Sequence, residues 1–153
     1  MFTGFSGSFQ QTIDAKNRIV IPSKFRMFIK KTEDRDGFIL SVYAVGQDRC
    51  LQLYTLSAWQ EFVTKAQTLA KSEQAEDFLR LLSANAEFAN IDKQSRLVIP
   101  QKLVDFTGLK RDVMIIGVIN RVEVWNLDGW KVRSEKLTKD FAALQKEVFK
   151  PGA

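Results

Sequence analysis

The chain has no histidine and a single cysteine. Without histidine there is no imidazole to serve as general base or metal ligand, and no Ser-His or Cys-His pair. Hydrolases and zinc centres of the usual kinds are therefore disfavoured, and neither a metal nor a cofactor is expected. Carboxylate and lysine chemistry stay open. Cys50 has no partner for an intrachain disulfide, and between Arg49 and Leu51 it reads as a small buried hydrophobe. Long apolar runs are also missing: none approaches the roughly 18 residues that cross a bilayer, so no membrane partner is expected. The opening Met1-Phe2-Thr3-Gly4-Phe5 lacks a basic segment followed by an apolar core. No secretory leader is expected, and a cytoplasmic location follows.

What is present is a folding composition, 45% hydrophobic and 27% charged over 153 residues, enough for a sizeable core. Lys and Arg outnumber Asp and Glu by 23 to 18, and the pI is near 9.4. This modest basic balance suits a polyanion without identifying one. The organising feature is a stretch used twice. Ile13-Asp14-Ala15-Lys16-Asn17-Arg18-Ile19-Val20-Ile21-Pro22 returns as Ile91-Asp92-Lys93-Gln94-Ser95-Arg96-Leu97-Val98-Ile99-Pro100 at a constant offset of 78 (92 − 14, 96 − 18, 100 − 22). This spacing is too long for a solenoid repeat and fits a tandem duplication of one structural unit.

Each copy reads as a strand, a tight polar turn, a short buried strand and a helix start. Asp14 with Asn17, and Asp92 with Ser95, are turn formers, and Asn17 tolerates a left-handed backbone. The aliphatic triplets favour strands, and the Pro that closes each suits the first turn of a helix. The turns would hold Lys16 and Arg18, and Lys93 and Arg96, on a rigid β scaffold. A plainer role for each Arg is to pair with the Asp four residues back and staple the turn; the two roles are compatible.

Around these turns we expect strands over residues 7–13 and 18–21, a helix over 22–31 and a hairpin of 38–44 with 50–54. A helix follows, capped by Ser57 with Gln60 completing a capping box, and then a second helix over 72–84. The apolar stripes of these two helices read as core. The plan then repeats with strands 85–91 and 96–99, helix 100–106, Gly108 as a helix C-cap, and a hairpin of 112–118 with 122–125. Asp128 is expected to cap one long amphipathic C-terminal helix, which would lie on its own domain or on a neighbouring subunit.

The two Asp-x-x-x-Arg turns, each followed by aliphatics and Pro, resemble the paired signature of the MraZ family of bacterial transcription regulators. Leu53-Tyr54-Thr55-Leu56-Ser57-Ala58-Trp59 and Val122-Glu123-Val124-Trp125 also match, and the resemblance covers nearly the whole chain. Where the family has Gly before the Arg, this chain has Asn17 and Ser95. The resemblance implies an α+β, β-rich fold: an AbrB-like swapped-hairpin, double-psi-type barrel made by two tandem pseudo-repeats, with peripheral helices. The implied segments are a first SpoVT-AbrB half-domain (1–55), connecting helices (56–84), a second half-domain (85–127) and a C-terminal helix (128–153).

It further implies a sequence-specific DNA-binding repressor of the division and cell-wall gene cluster, including its own gene, associated with the nucleoid. The partners would be double-stranded DNA carrying repeated promoter boxes and further copies of the chain in a ring. No small-molecule substrate is expected. Lys16, Arg18, Lys93 and Arg96 would contact DNA, with Asp14, Asn17, Asp92 and Ser95 shaping the turns. Arg18 is the candidate base reader, because a guanidinium grips guanine O6 and N7 bidentately; Lys16 and Lys93 would hold phosphates. A second reading is an AbrB-like antitoxin or interaction scaffold in which DNA binding is secondary. A third, an enzyme using Asp14 or Asp92 as acid or base, is weakened by the Arg beside each, which would keep it ionised.

Overall fold

Residues 4–151 are described in a computed structural model. Residues 1–3 and 152–153, which carry part of the leader reading and the outer ends of the first and last segments, lie outside the described residues. The first repeat forms β1 (Ser8–Thr12), β2 (Arg18–Val20), a one-turn helix α1 (Ser23–Arg26), β3 (Gly37–Val45) and β4 (Asp48–Tyr54). Helices α2 (Leu56–Leu69) and α3 (Glu73–Asn85) follow. The second repeat gives β5 (Glu87–Asn90), β6 (Arg96–Val98), α4 (Gln101–Thr107), β7 (Asp112–Gly117) and β8 (Val122–Asn126), and the described chain ends with α5 (Leu127–Lys139) and α6 (Phe141–Val148).

The strands are exchanged between repeats. The main sheet has the order β1-β7-β8-β4-β3-β5, all antiparallel, so β1 pairs with the second repeat's hairpin and β5 with the first's. β2 and β6 form a separate antiparallel ribbon in which Ile19 faces Leu97. This is the swapped-hairpin α+β arrangement, with the ladders divided between an open six-stranded sheet and the two-stranded ribbon. A pseudo-twofold axis relates the repeats. It passes between Ile19 and Leu97 and again between Gln52 and Glu123, which face each other where β4 meets β8. β5 approaches β3 closely: a Cβ on Gly37 would lie 2.1 Å from the Ala89 carbonyl oxygen, so only glycine fits there.

Period-two alternation explains the core. Phe38, Leu40, Leu51, Leu53, Val113, Ile115, Val122 and Val124 point to one face of the sheet, and Ile19, Ile21, Leu97 and Ile99 meet them from the ribbon. Phe5, Phe25 and Phe38 fill the space with edge-to-face and tilted ring contacts. The opposite face is covered by α2, whose Trp59 and Phe62 pack on Tyr54, and by α5, whose Trp130 packs on Trp125. Under that cover lies a polar cluster on the axis. The Glu123 carboxylate accepts from Gln52 Nε2, Arg121 Nε and Trp125 Nε1, each at 3.0 Å, and Tyr54 Oη donates to Gln52 Oε1. Cys50 is fully buried as expected; burial, reinforced by the charge of Glu123, pushes its thiol well above the usual range.

Several expectations need correction. The helix expected over 22–31 is one turn, continued by i→i+3 bonds from Phe28 and Ile29 that still deliver Phe25 and Ile29 to the core. Thr55, not Ser57, caps α2 by accepting from Ala58 N; the Ser57 amide instead donates to the buried Asp34 carboxylate. Asn126, not Asp128, caps α5 through Gly129 N. The single C-terminal helix is two, divided at Asp140. The stripes of α2 and α3 are only partly covered: Leu82 is buried but Leu69 and Phe78 are exposed, and an open groove of about 570 Å³ runs between the helices.

Candidate nucleic-acid interface

The two turns are built almost atom for atom alike. Asp14 Oδ1 accepts the backbone amides of Lys16 and Arg18 at 2.9 Å, and its Oδ2 accepts Arg18 Nε at 2.6 Å. Asp92 repeats this with Gln94 N, Arg96 N and Arg96 Nε at 2.8, 2.9 and 2.9 Å. Backbone bonds from Asp14 N to Arg18 O and from Asp92 N to Arg96 O close the loops. The donors, led by the Arg backbone amide, hold both carboxyls below the usual Asp value. Each Asp is thus an ionised staple, the opposite of what a general acid requires.

The residue before each Arg is left-handed: Asn17 has φ 59° and Ser95 φ 63°. Asn adopts this region at little cost, Ser at more. Both residues are also tied to the opposite repeat. Asn17 Nδ2 donates to Gln101 Oε1 at 2.9 Å, and Arg26 Nη1 donates to Ser95 Oγ at 3.0 Å.

Of each aliphatic triplet, only the outer two residues are buried. Ile19, Ile21, Leu97 and Ile99 point inward, while Val20 and Val98 are exposed. Arg18 lies opposite Val98 and Val20 opposite Arg96, so these four side chains share the outer face of the ribbon. The two arginines stand diagonally across the axis, about 7–8 Å apart at the backbone by the geometry of antiparallel pairs. Their side chains are 27% and 32% accessible, neither sequestered nor free. Each hydrogen-bonds its Asp through Nε alone, and its terminal nitrogens bond nothing else among the described residues. Stapling and outward display therefore coexist.

The lysines are not counterparts. Lys16 stands where the second turn has Gln94, and Lys93 where the first has Ala15. Both are exposed at the turn tips. Gln11 is a residue that turn chemistry could not reveal. Its side-chain amide donates to Val20 O at 2.6 Å and accepts from Val20 N at 3.0 Å, lashing β2 to β1. Its counterpart is Ala89, so only the first half of the ribbon is held this way. The difference between Gln and Ala at that offset was the one available signal. No helix of the described residues is long and apolar enough to cross a membrane, and no group of three or more His, Cys, Asp or Glu is placed to hold a metal among them.

A family model described as "MraZ protein, putative antitoxin-like" matches the chain twice, over residues 4–81 and 82–150. Proteins carrying the description "Transcriptional regulator MraZ" are similar over most of their length. One from Acetivibrio thermocellus is 40% identical over 83% of this chain and 84% of its own. Another from Caldicellulosiruptor bescii is 37% identical over 92% and 95%. A third from Clostridium acetobutylicum is 33% identical over 97% and 99%.

Proposed function

The chain belongs to the MraZ family, and from that premise we propose that it is a sequence-specific DNA-binding transcriptional regulator whose reading head is the outer face of the β2–β6 ribbon. The observation that carries this is the paired display of Arg18 and Arg96 on that face, each guanidinium steadied by an Asp and aimed away from the core. The major groove admits a two-stranded ribbon, and a guanidinium reads guanine there bidentately. The diagonal spacing of the arginines, about 7–8 Å, corresponds to roughly two base-pair steps of 3.4 Å. Val20 and Val98 between them offer apolar contact to thymine methyls. Lys16 and Lys93, at the turn tips, hold phosphates and fix register. Asp14, Asn17, Asp92 and Ser95 shape the turns.

One ribbon makes few base contacts, so a single chain binds weakly. Repeated promoter boxes met by a ring of copies gain affinity through effective concentration. The ring draws support from unpartnered apolar surface: Phe141, Leu144, Val148 and Phe149 on and after α6, and the groove between α2 and α3. In this reading the ring represses the division and cell-wall genes, its own among them, and sits on the nucleoid within the cytoplasm.

The test is Arg18→Ala. It is expected to abolish preference for a duplex taken from upstream of the chain's own gene over a scrambled duplex, with the oligomer size of the parent and a melting temperature lower by no more than about 2 °C for the lost bond to Asp14. Unchanged gel-shift affinity for the promoter duplex sinks the assignment. The same exposed apolar surfaces favour one other reading, an antitoxin-like or scaffold protein that binds a protein partner first. Under it, a stoichiometric partner co-purifies from the native host and DNA affinity is unspecific.

A further inference from the structure

We propose that the cleft beside the first turn is a phosphate-binding site for the DNA backbone, formed by Lys110 and Arg111 of the second repeat, and that it gives the chain a polarity along the duplex. This rests on the DNA-binding reading above. Ile13 N donates to Arg111 O at 2.8 Å, and at the counterpart position Ile91 N donates to Asp36 O, also at 2.8 Å. Arg111 and Asp36 therefore occupy the same place beside their respective turns, and so do Lys110 and Arg35. One turn is flanked by Lys-Arg and the other by Arg-Asp. Lys16 and Lys93 do not offset this, because each turn carries one of them.

The cleft itself has a volume of about 600 Å³ and is lined by Thr12, Ile13, Asp14, Asn17, Lys110 and Arg111, among others. Lys110 and Arg111 are exposed and form no ion pair among the described residues. Two carboxylates lie near. Asp14 already accepts three donors, and Asp112 is exposed beside Arg111. On the other side, Arg26 is engaged by Ser95 Oγ. Two uncommitted cations lining a cleft whose wall includes Asp14, the partner of Arg18, fit a phosphate next to the base that Arg18 reads. At the second turn, Asp36 would repel one.

The test measures binding against salt for the whole chain on the promoter duplex and on a scrambled duplex. For Lys110→Ala combined with Arg111→Ala, the slope of log affinity against log salt is expected to fall by about 2, one for each cation removed. Affinity should drop by the same factor on both duplexes, since phosphate contacts carry no sequence information. Arg111→Ala should change the slope by about 1 and Arg35→Ala by clearly less. Melting temperatures should match the parent's, because these side chains are exposed. An unchanged slope in the double variant overturns the site while leaving the DNA reading intact. Equal effects of Arg111→Ala and Arg35→Ala overturn the polarity. A parent chain with no preference for the promoter duplex removes the DNA reading and this site with it.

Discussion

Ile19 faces Leu97 across the β2–β6 ribbon, and the two are one position of the two repeats, 78 residues apart (97 − 19). A residue that pairs with its own counterpart marks a twofold axis. Everything on the outer face of the ribbon is therefore presented in duplicate, Arg18 with Val20 and Arg96 with Val98. Gln11 against Ala89 and Arg111 against Asp36 are among the positions that depart from the symmetry, and they make the two ends of the face chemically different.

Ser95 sits at φ 63° without the amide side chain that makes this region tolerable for Asn17. Replacing it with Gly should relieve about 1 kcal/mol of backbone strain. Part of that gain is offset by the lost bond from Arg26, exposed and worth about 0.5 kcal/mol. A rise in melting temperature of about 1–2 °C is expected for a chain of this size. Ser95→Ala, which loses the bond and keeps the strain, should melt below the parent. Calorimetry on the three proteins decides it: a Gly variant no more stable than the Ala variant would show that the turn is unstrained.

Glu123 is 6% exposed and serves three donors. Glu123→Ala strands Gln52, Trp125 and the partly buried Arg121, and should cost about 3–5 kcal/mol in urea denaturation. Glu123→Leu fills the space yet leaves the same donors unpaired, so it should recover only part of the loss. Full recovery by Leu would mean that packing, not hydrogen bonding, holds this cluster.

The turns should fail in acid before the core does. Asp14 and Asp92 titrate below the ordinary Asp range in the folded chain, so their contribution is complete above the unfolded value and disappears as pH falls through the lowered folded value. Between neutrality and about pH 5 the turn amides should stay protected, and protection at Arg18 and Arg96 N–H should decline only below the ordinary Asp range. Hydrogen exchange followed by NMR checks this. Loss of protection already near pH 6 would contradict the staple geometry.

The duplication, both turns and the alternating strands were legible because they depend on local chemistry: Asp side chains that bond their own turn, and aliphatics with period two. The Asn17 backbone was readable for the same reason. What escaped depends on contacts distant in sequence. Thr55 displaces Ser57 as cap because Asp34, 23 residues earlier, takes the Ser57 amide. The helix after Pro22 shortens because Phe28 and Ile29 follow the core rather than a cylinder. Asp140 divides the final helix although the apolar spacing runs through it. The one-position offset between Lys16 and Lys93 needs no distant contact, since the alignment of the two copies alone shows it.

The exchange of β1 and β5 has a consequence for biosynthesis. While the ribosome is still making the second repeat, the emerged first repeat has the β3 edge uncovered and β1 without its ladder partner. The β3–β4 hairpin pairs within the first repeat, but its edge and β1 stay unpaired until Glu87–Asn90 and Asp112–Gly117 arrive. During that interval a nascent chain can complete itself with the tail of a neighbour on the same message. The chain's own second repeat, tethered to the first through α2 and α3, is present at higher effective concentration than a neighbour's, and this favours closure in cis.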